Sequence, residues 1–260
     1  MSLWTLPLCC PDGDGRKRSP HAEPEAVAAV AGGKITPDGG AKEPRIVVPG
    51  TAAKNAGLAV AGYPRRAIRR RPGIGSQDLQ HLADFLGLGK FHLVASAAGG
   101  SIASDYAFSH PDRLLSLTVS SNSFGIADGG ILAAAMRIRP RIWDEIPVEF
   151  RELGPSYRAA NPDGFRLWVE LERKSQVGDG SRQPLANRIT EASLGGLKVP
   201  TLVISGDADL STPPSIARMI AARIANSELV VVPESGHSVY WEQPEAFNRA
   251  VLDFIAKHRG

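Results

Sequence analysis

The run FHLVASAAGGSIASDYAFS, residues 91–109, passes from a strand pattern to a helical one through a turn built only of small residues. Phe91 to Ala95 is short and apolar, the pattern of a strand covered on both faces. Ser101 to Ser109 has helical spacing, and between the two lies Ser96-Ala97-Ala98-Gly99-Gly100. A tight strand-to-helix turn requires such residues, because its central residue is held at strained backbone angles and bulky neighbours would collide. The stretch therefore predicts one βα unit whose turn lifts a central side chain clear of the sheet.

Outward from this unit the alternation continues. Upstream, Ser76 to Leu86 places Leu79, Leu82, Phe85 and Leu86 on one helical stripe, with Ser76 as N-cap and Gly87 as stop. Downstream, Leu114 to Ser120 reads as the next strand. Pro200 to Ser205 and Glu228 to Val232 are strands flanking a helix from Pro214 to Ile224, and Pro244 to His258 is a closing helix. Further upstream, Arg45 to Val48 is a β-branched run stopped by Pro49-Gly50, and Leu58 to Ala61 is a second short apolar run. Strands alternating with helices of roughly ten to fifteen residues imply parallel βαβ units with helices on both faces, an α/β fold. Reactive groups in such a sheet gather beyond the carboxyl ends of the strands.

Two regions fall outside this rhythm. Residues from about 123 to 190 lack strand runs and hold helix-like pieces at Ile131 to Arg137 and Phe165 to Ser175, separated by Pro140, Pro147, Pro155 and Pro162, so they read as a helical insertion. The first 44 residues are broken by Pro and Gly and read as an irregular segment that adds little core, leaving residues 45–260 as the folded domain.

Composition bounds the function. With 260 residues, 43% apolar and 22% charged, the chain is ordinary globular protein able to bury a core without metals or disulfides. The two cysteines, Cys9 and Cys10, are adjacent and have no spaced partners, which excludes a disulfide framework and a zinc-ribbon spacing and makes a reducing, cytoplasmic setting the default. Neither a membrane-spanning run nor a signal-peptide pattern is visible. The net charge of +3 is too small to imply nucleic acid, and its excess is local, in Arg65, Arg66, Arg69, Arg70 and Arg71. These arginines lack interleaved aromatics beyond Tyr63 and read as a solvated face; a grip on an acidic partner is the weaker reading.

Two further loops bear chemistry. Gly206 to Pro213 (GDADLSTP) follows the strand LVIS, and Glu234 to Trp241 (ESGHSVYW) follows LVVV, so a carboxylate and an imidazole meet at the same end of the sheet. A carboxylate that accepts from one ring nitrogen fixes the tautomer and leaves the other nitrogen as a base. His237 is the candidate base and Asp209 its orienter, with Asp207 the leading substitute.

From about Arg45 to the C-terminus the chain resembles the α/β-hydrolase fold family. The resemblance rests on the order turn, acid, histidine, and on particular residues: Gly206-Asp207-Ala208-Asp209 with Pro213, then about 28 residues on Gly236-His237, then Glu242-Gln243-Pro244-Glu245. Ser109-His110-Pro111-Asp112-Arg113-Leu114 after the elbow adds to it. It implies a mostly parallel sheet, a lid formed by the helical insertion, a small-molecule substrate and no cofactor or metal; it sets no oligomeric state. It also implies a nucleophile elbow at Ala95 to Gly100, and this places Ala97, with no nucleophilic atom, where the family keeps its nucleophile. Ser96, one residue earlier, is the candidate substitute. If it does not serve, His237 activates a water or a substrate proton directly. Oxyanion donors fall at the amides of Ala98 and Thr51, the latter following Pro49-Gly50 where the family has His-Gly. Ala67-Ile68-Arg69-Arg70-Arg71 stands where the family has a Gly-x-Gly-x-Ser turn. A reading-frame change or a degenerate gene upstream of residue 76 would produce these N-terminal departures together.

The function implied is hydrolysis of a small, largely apolar carboxylic ester or a related acyl or C–C bond. The contrasting reading is a non-catalytic ligand-binding protein that keeps the pocket without the chemistry.

Overall fold

A computed structural model describes the backbone of residues 45–48 and all of residues 73–175 and 183–259. The first 44 residues, Thr51, the Leu58 to Ala61 run and the arginine cluster lie outside the described residues.

Among the described residues, five parallel strands form one sheet in sequence order: β1 (Arg45–Val48), β2 (Phe91–Ser96), β3 (Leu114–Ser120), β4 (Thr201–Gly206) and β5 (Ser227–Val232). The helices are α1 (Gly75–Phe85), α2 (Ala98–Ser109), α3 (Gly130–Ile138), α4 (Val148–Glu152), α5 (Pro155–Ala160), α6 (Pro162–Ser175), α7 (Pro214–Ala221), α8 (Val239–Glu242) and α9 (Pro244–Lys257). β2 and β4 are buried along their whole length, which is why both read as apolar runs rather than as alternating strands.

Alternation along these strands feeds two cores. Leu93, Ala95, Leu117, Val119 and Val203 point to the larger core, closed by Leu79 of α1, Ala103 and Tyr106 of α2, Ile131 of α3 and Ile220 of α7. Val94, Leu202 and Ile204 point the other way, onto Val239 of α8 and Phe247, Val251, Phe254 and Ile255 of α9. Helices on both faces are thus a consequence of side-chain period along shared strands.

The local signals held to different degrees. α1 stops where Gly87 turns at φ 65°, with Leu88 N–H donating to Ala83 O (3.0 Å) and Gly87 N–H to Asp84 O (3.0 Å), the paired closure that a left-handed glycine permits. The expected N-cap differs. Ser76 lies inside the first turn, and its hydroxyl donates to the buried Asp105 of α2 (2.5 Å) instead of capping. Asp105 also accepts from the backbone amides of Ala186 (2.9 Å) and Asn187 (2.8 Å), fastening the chain where it returns from the insertion.

Candidate active site

The elbow is a backbone feature. β2 ends at Ser96, Ala97 turns at φ 47° and ψ −130°, and α2 begins at Ala98. Ala97 N–H donates to Ser120 O (3.0 Å) and Gly100 N–H to Ala97 O (2.9 Å), so neighbouring backbone holds the turn from both sides. Close packing reinforces it: a Cβ on Gly100 would come within 2.6 Å of Asn122 Cβ and 2.9 Å of Val119 Cγ1. The strained geometry is complete, yet the residue at its apex is an alanine whose methyl group can neither attack a carbonyl nor move a proton. Ala98 supplies the first amide of α2, where a helix has unpaired N–H groups and the positive end of its dipole.

Ser96 stands one position earlier, paired in register with Ser120 of β3. Its hydroxyl is buried and, among the described residues, has no hydrogen-bond partner, so no bond to His237 is formed. Asn122, beyond β3, turns its amide to the Ser101 hydroxyl (3.2 Å) and to Phe124 N–H (2.6 Å).

The acid and the imidazole are brought together. Both carboxylate oxygens of Asp209 lie 3.0 Å from His237 Nδ1. Asp209 is 2% exposed and His237 6%. The approach depends on bare backbone: a Cβ on Gly206, at the end of β4, would fall 2.1 Å from Gly236 O and 2.3 Å from Ser235 O. Asp209 also accepts from the amides of Ser211 (2.7 Å) and Thr212 (2.9 Å), and Ser205 Oγ donates to Thr212 O (3.0 Å), which fixes the loop. Asp207 takes a different part, accepting from Ser235 N–H (3.2 Å) and stitching the two loops together.

Electrostatics agree with the geometry. Burial alone pushes the Asp209 carboxyl up, but the His237 charge and hydrogen bond and the amides of Thr212 and Ser211 outweigh it and hold the group below the ordinary aspartate range. An ionised carboxylate only accepts, so Nδ1 carries the donated proton and Nε2 is left as the basic nitrogen.

The helical insertion reaches this nitrogen. Glu152, the last residue of α4, places Oε2 3.8 Å from His237 Nε2 with its side chain 20% exposed. The insertion is seated by Ser238 N–H donating to Glu152 O (3.0 Å) and by Gly154 N–H donating to Glu242 Oε2 (2.7 Å). Glu242 also accepts from Gly236 N–H (3.0 Å), so one buried carboxylate clasps both the insertion and the histidine loop. Burial pushes the Glu242 carboxyl up against the pull of these amides. Neither role is legible in the local sequence. Glu242 was recognisable as part of a motif without a task, and Glu152 carried no signal because its place depends on how the insertion docks. Among the described residues no group of three or more His, Cys, Asp or Glu is arranged to hold a metal.

The Alpha/beta hydrolase family profile matches residues 46–250, most of the chain and all of this site. The chain belongs to the Alpha/beta hydrolase family. Within it, the chain is 25% identical over 233 residues to the 2-hydroxy-6-oxo-6-phenylhexa-2,4-dienoate hydrolase of Burkholderia cepacia, covering 82% of this chain and 77% of that one. Among solved structures it resembles a thermophilic esterase from Thermogutta terrifontis, at 26% identity and a TM-score of 0.58 over 74% of this chain and 76% of that one. A hydrolase from Pseudomonas aeruginosa, at 22% identity and a TM-score of 0.61 over 84% and 92% of the two chains, shares the fold. Among the described residues no helix is long and apolar enough to cross a membrane.

Proposed function

We propose that this α/β hydrolase cleaves a small, largely apolar carboxylic ester or a related acyl or C–C bond, with His237 as general base, Asp209 as its orienter and water as the attacking group. The observation that carries this reading is the pair of 3.0 Å contacts from Asp209 to Nδ1, which commit the ring to the tautomer whose basic nitrogen is Nε2. The esterase and C–C hydrolase relatives support the class of bond. Ala97 at the apex and the absence of a bond from Ser96 to His237 favour direct attack by water over an acyl-enzyme. The amide of Ala98, with that of Thr51, would receive the developing oxyanion. Residues 45–260 form the hydrolase domain, residues from about 123 to 190 its lid, and a reducing, cytoplasmic setting suits a chain with two adjacent cysteines and no spaced Cys partners in sequence.

A fluorophosphonate probe and a panel of p-nitrophenyl esters test this directly. Turnover without labelling is the expected result. Labelling abolished by Ser96→Ala would restore an acyl-enzyme on a displaced serine. Neither labelling nor turnover would overturn the enzyme reading in favour of a non-catalytic ligand-binding protein.

A further inference from the structure

The base has two carboxylate neighbours, one on each ring nitrogen. Asp209 lies against Nδ1, and Glu152 Oε2 stands 3.8 Å from Nε2. That second separation is too long for a direct hydrogen bond, but one water oxygen about 2.8 Å from each atom would touch both. Ala97, at the elbow's apex, carries no hydroxyl of its own.

We propose that Glu152 is a catalytic residue, forming with His237 Nε2 a two-acceptor clamp on the attacking water. This inference rests on the hydrolase reading above and adds to it the residue that holds the nucleophile. One water proton bonds to Nε2 and the other to the Glu152 carboxylate. In the attack the first proton passes to Nε2, the water oxygen forms a bond to the acyl carbon, and the carbonyl pair moves onto its oxygen. On collapse the bond to the leaving group breaks and the Nε2 proton is delivered to it. Glu152 accepts a hydrogen bond and takes no proton in these steps, and the hydrolysis is redox-neutral.

The placement of Glu152 is not that of a free surface acid. Its carbonyl is tied to Ser238 N–H (3.0 Å), two residues on Gly154 N–H is held by the buried Glu242 (2.7 Å), and Leu153 between them is buried. The carboxylate is thus presented by backbone that is docked on the histidine loop itself. Its field is felt locally: burial first, then the Glu152 charge, push the Tyr240 phenol up to about 12. Among the described residues, the charged groups against the His237 ring include Asp209 beyond β4 and Glu152 on α4; Tyr240 of α8 feels the charges of Glu152, Glu172 and Glu242, and Glu242 that of Asp209.

The test measures steady-state p-nitrophenyl ester hydrolysis against pH for wild type, Glu152→Gln and Glu152→Ala, with melting curves showing that each variant folds. A charged acceptor lost from the attacking water lowers kcat about 10-fold in E152Q and about 100-fold in E152A, with KM changed less than about twofold. Removing the anion also destabilises the imidazolium, so the acid limb of the profile moves to lower pH in both variants, and formate restores part of the E152A rate. A merely structural Glu152 would move neither the limb nor the rescue. Wild-type kcat with an unmoved limb in E152Q overturns the role of Glu152 and leaves the hydrolase reading standing. A slow E152A that formate does not restore, with the limb unmoved in both variants, also overturns it. A wild type without turnover overturns both.

Discussion

The elbow at the end of β2 and the acid–imidazole pair beyond β4 and β5 lie at the same end of the parallel sheet, and they are built in opposite ways. At Ala97 the backbone is complete and the reactive atom is missing. At Asp209 and His237 the side chains are complete, and a glycine-lined backbone contact brings them together. The difference shows where each property resides. Elbow geometry is written into many neighbours, including Gly100, Val119, Asn122 and the Ser120 carbonyl, and it stands here with an alanine at its apex. Nucleophilicity resides in a single atom and vanishes with it.

The strongest way to break the comparison is to remove the chemistry from the intact side. His237→Ala should lower kcat on p-nitrophenyl esters by about 1,000-fold or more, the scale of a lost general base. It also leaves the Asp209 carboxylate buried without its main partner, so urea unfolding should report a loss of about 3 kcal/mol. The same pair sets the acid limit. Asp209 titrates below its ordinary value of 3.8 when folded, so its contribution to stability is fully present above that value and is lost as pH falls through the lower, folded value. In Asp209→Asn the urea midpoint should therefore fall less steeply with pH below 3.8 than in wild type.

Restoring chemistry to the other side is the next largest effect. Ala97→Ser puts a hydroxyl at the apex of a turn that already has the required backbone. Fluorophosphonate labelling should appear, and ester turnover should rise about 100-fold, within the range by which a triad exceeds its residual catalysis. An unlabelled, unimproved A97S protein would show that Nε2 does not address the apex, and the elbow would then be a fold feature alone.

The contact that joins the acid and histidine loops comes third. Gly206→Ala drives a methyl to 2.1 Å from the Gly236 carbonyl, and neither atom is the end of a flexible side chain. The loops must separate, with an expected loss of about 1–3 kcal/mol in urea and about tenfold in turnover.

Much of this was legible in local pattern. The strand Leu114 to Ser120 and the start of α9 at Pro244 follow from apolar runs and a proline at the first helical turn, and the Asp209–His237 pair follows from two loops at the same sheet end. What escaped depends on contacts far apart in sequence. Ser76 fails to cap α1 because Asp105, 29 residues on, takes its hydroxyl. α7 stops at Ala221, short of Ile224, where the chain tightens: Arg223 N–H donates to Ile220 O and Ile224 N–H to Ala221 O. The short helices α4 and α5 lie between Pro147, Pro155 and Pro162, too brief for periodicity to register. Glu152 could not be singled out, because the clasp of Glu242 on Gly154 spans 88 residues and its geometry exists only once the insertion is docked. The choice of Asp209 over Asp207 comes from its place in the motif, and the turn gives its physical reason by sending one carboxylate to the ring and the other to Ser235 N–H.

The smallest effect bears on why the elbow persists. A non-glycine residue in the left-handed region stores about 1–3 kcal/mol of strain, and with an alanine at the apex that strain positions no nucleophile. Ala97→Gly relieves it and gives back about 0.5–1 kcal/mol through the greater freedom of glycine in the unfolded chain. The net expectation is a gain of about 1 kcal/mol in urea unfolding, with turnover unchanged within about twofold because no reactive atom is lost. A gain with unchanged turnover would mean that Ala97 itself holds the strain and that the surrounding packing enforces the turn without help from the apex. A loss would mean that the Ala97 methyl packs well enough to offset its own backbone, and the elbow would then be as stable a local structure as the acid–imidazole loops it faces.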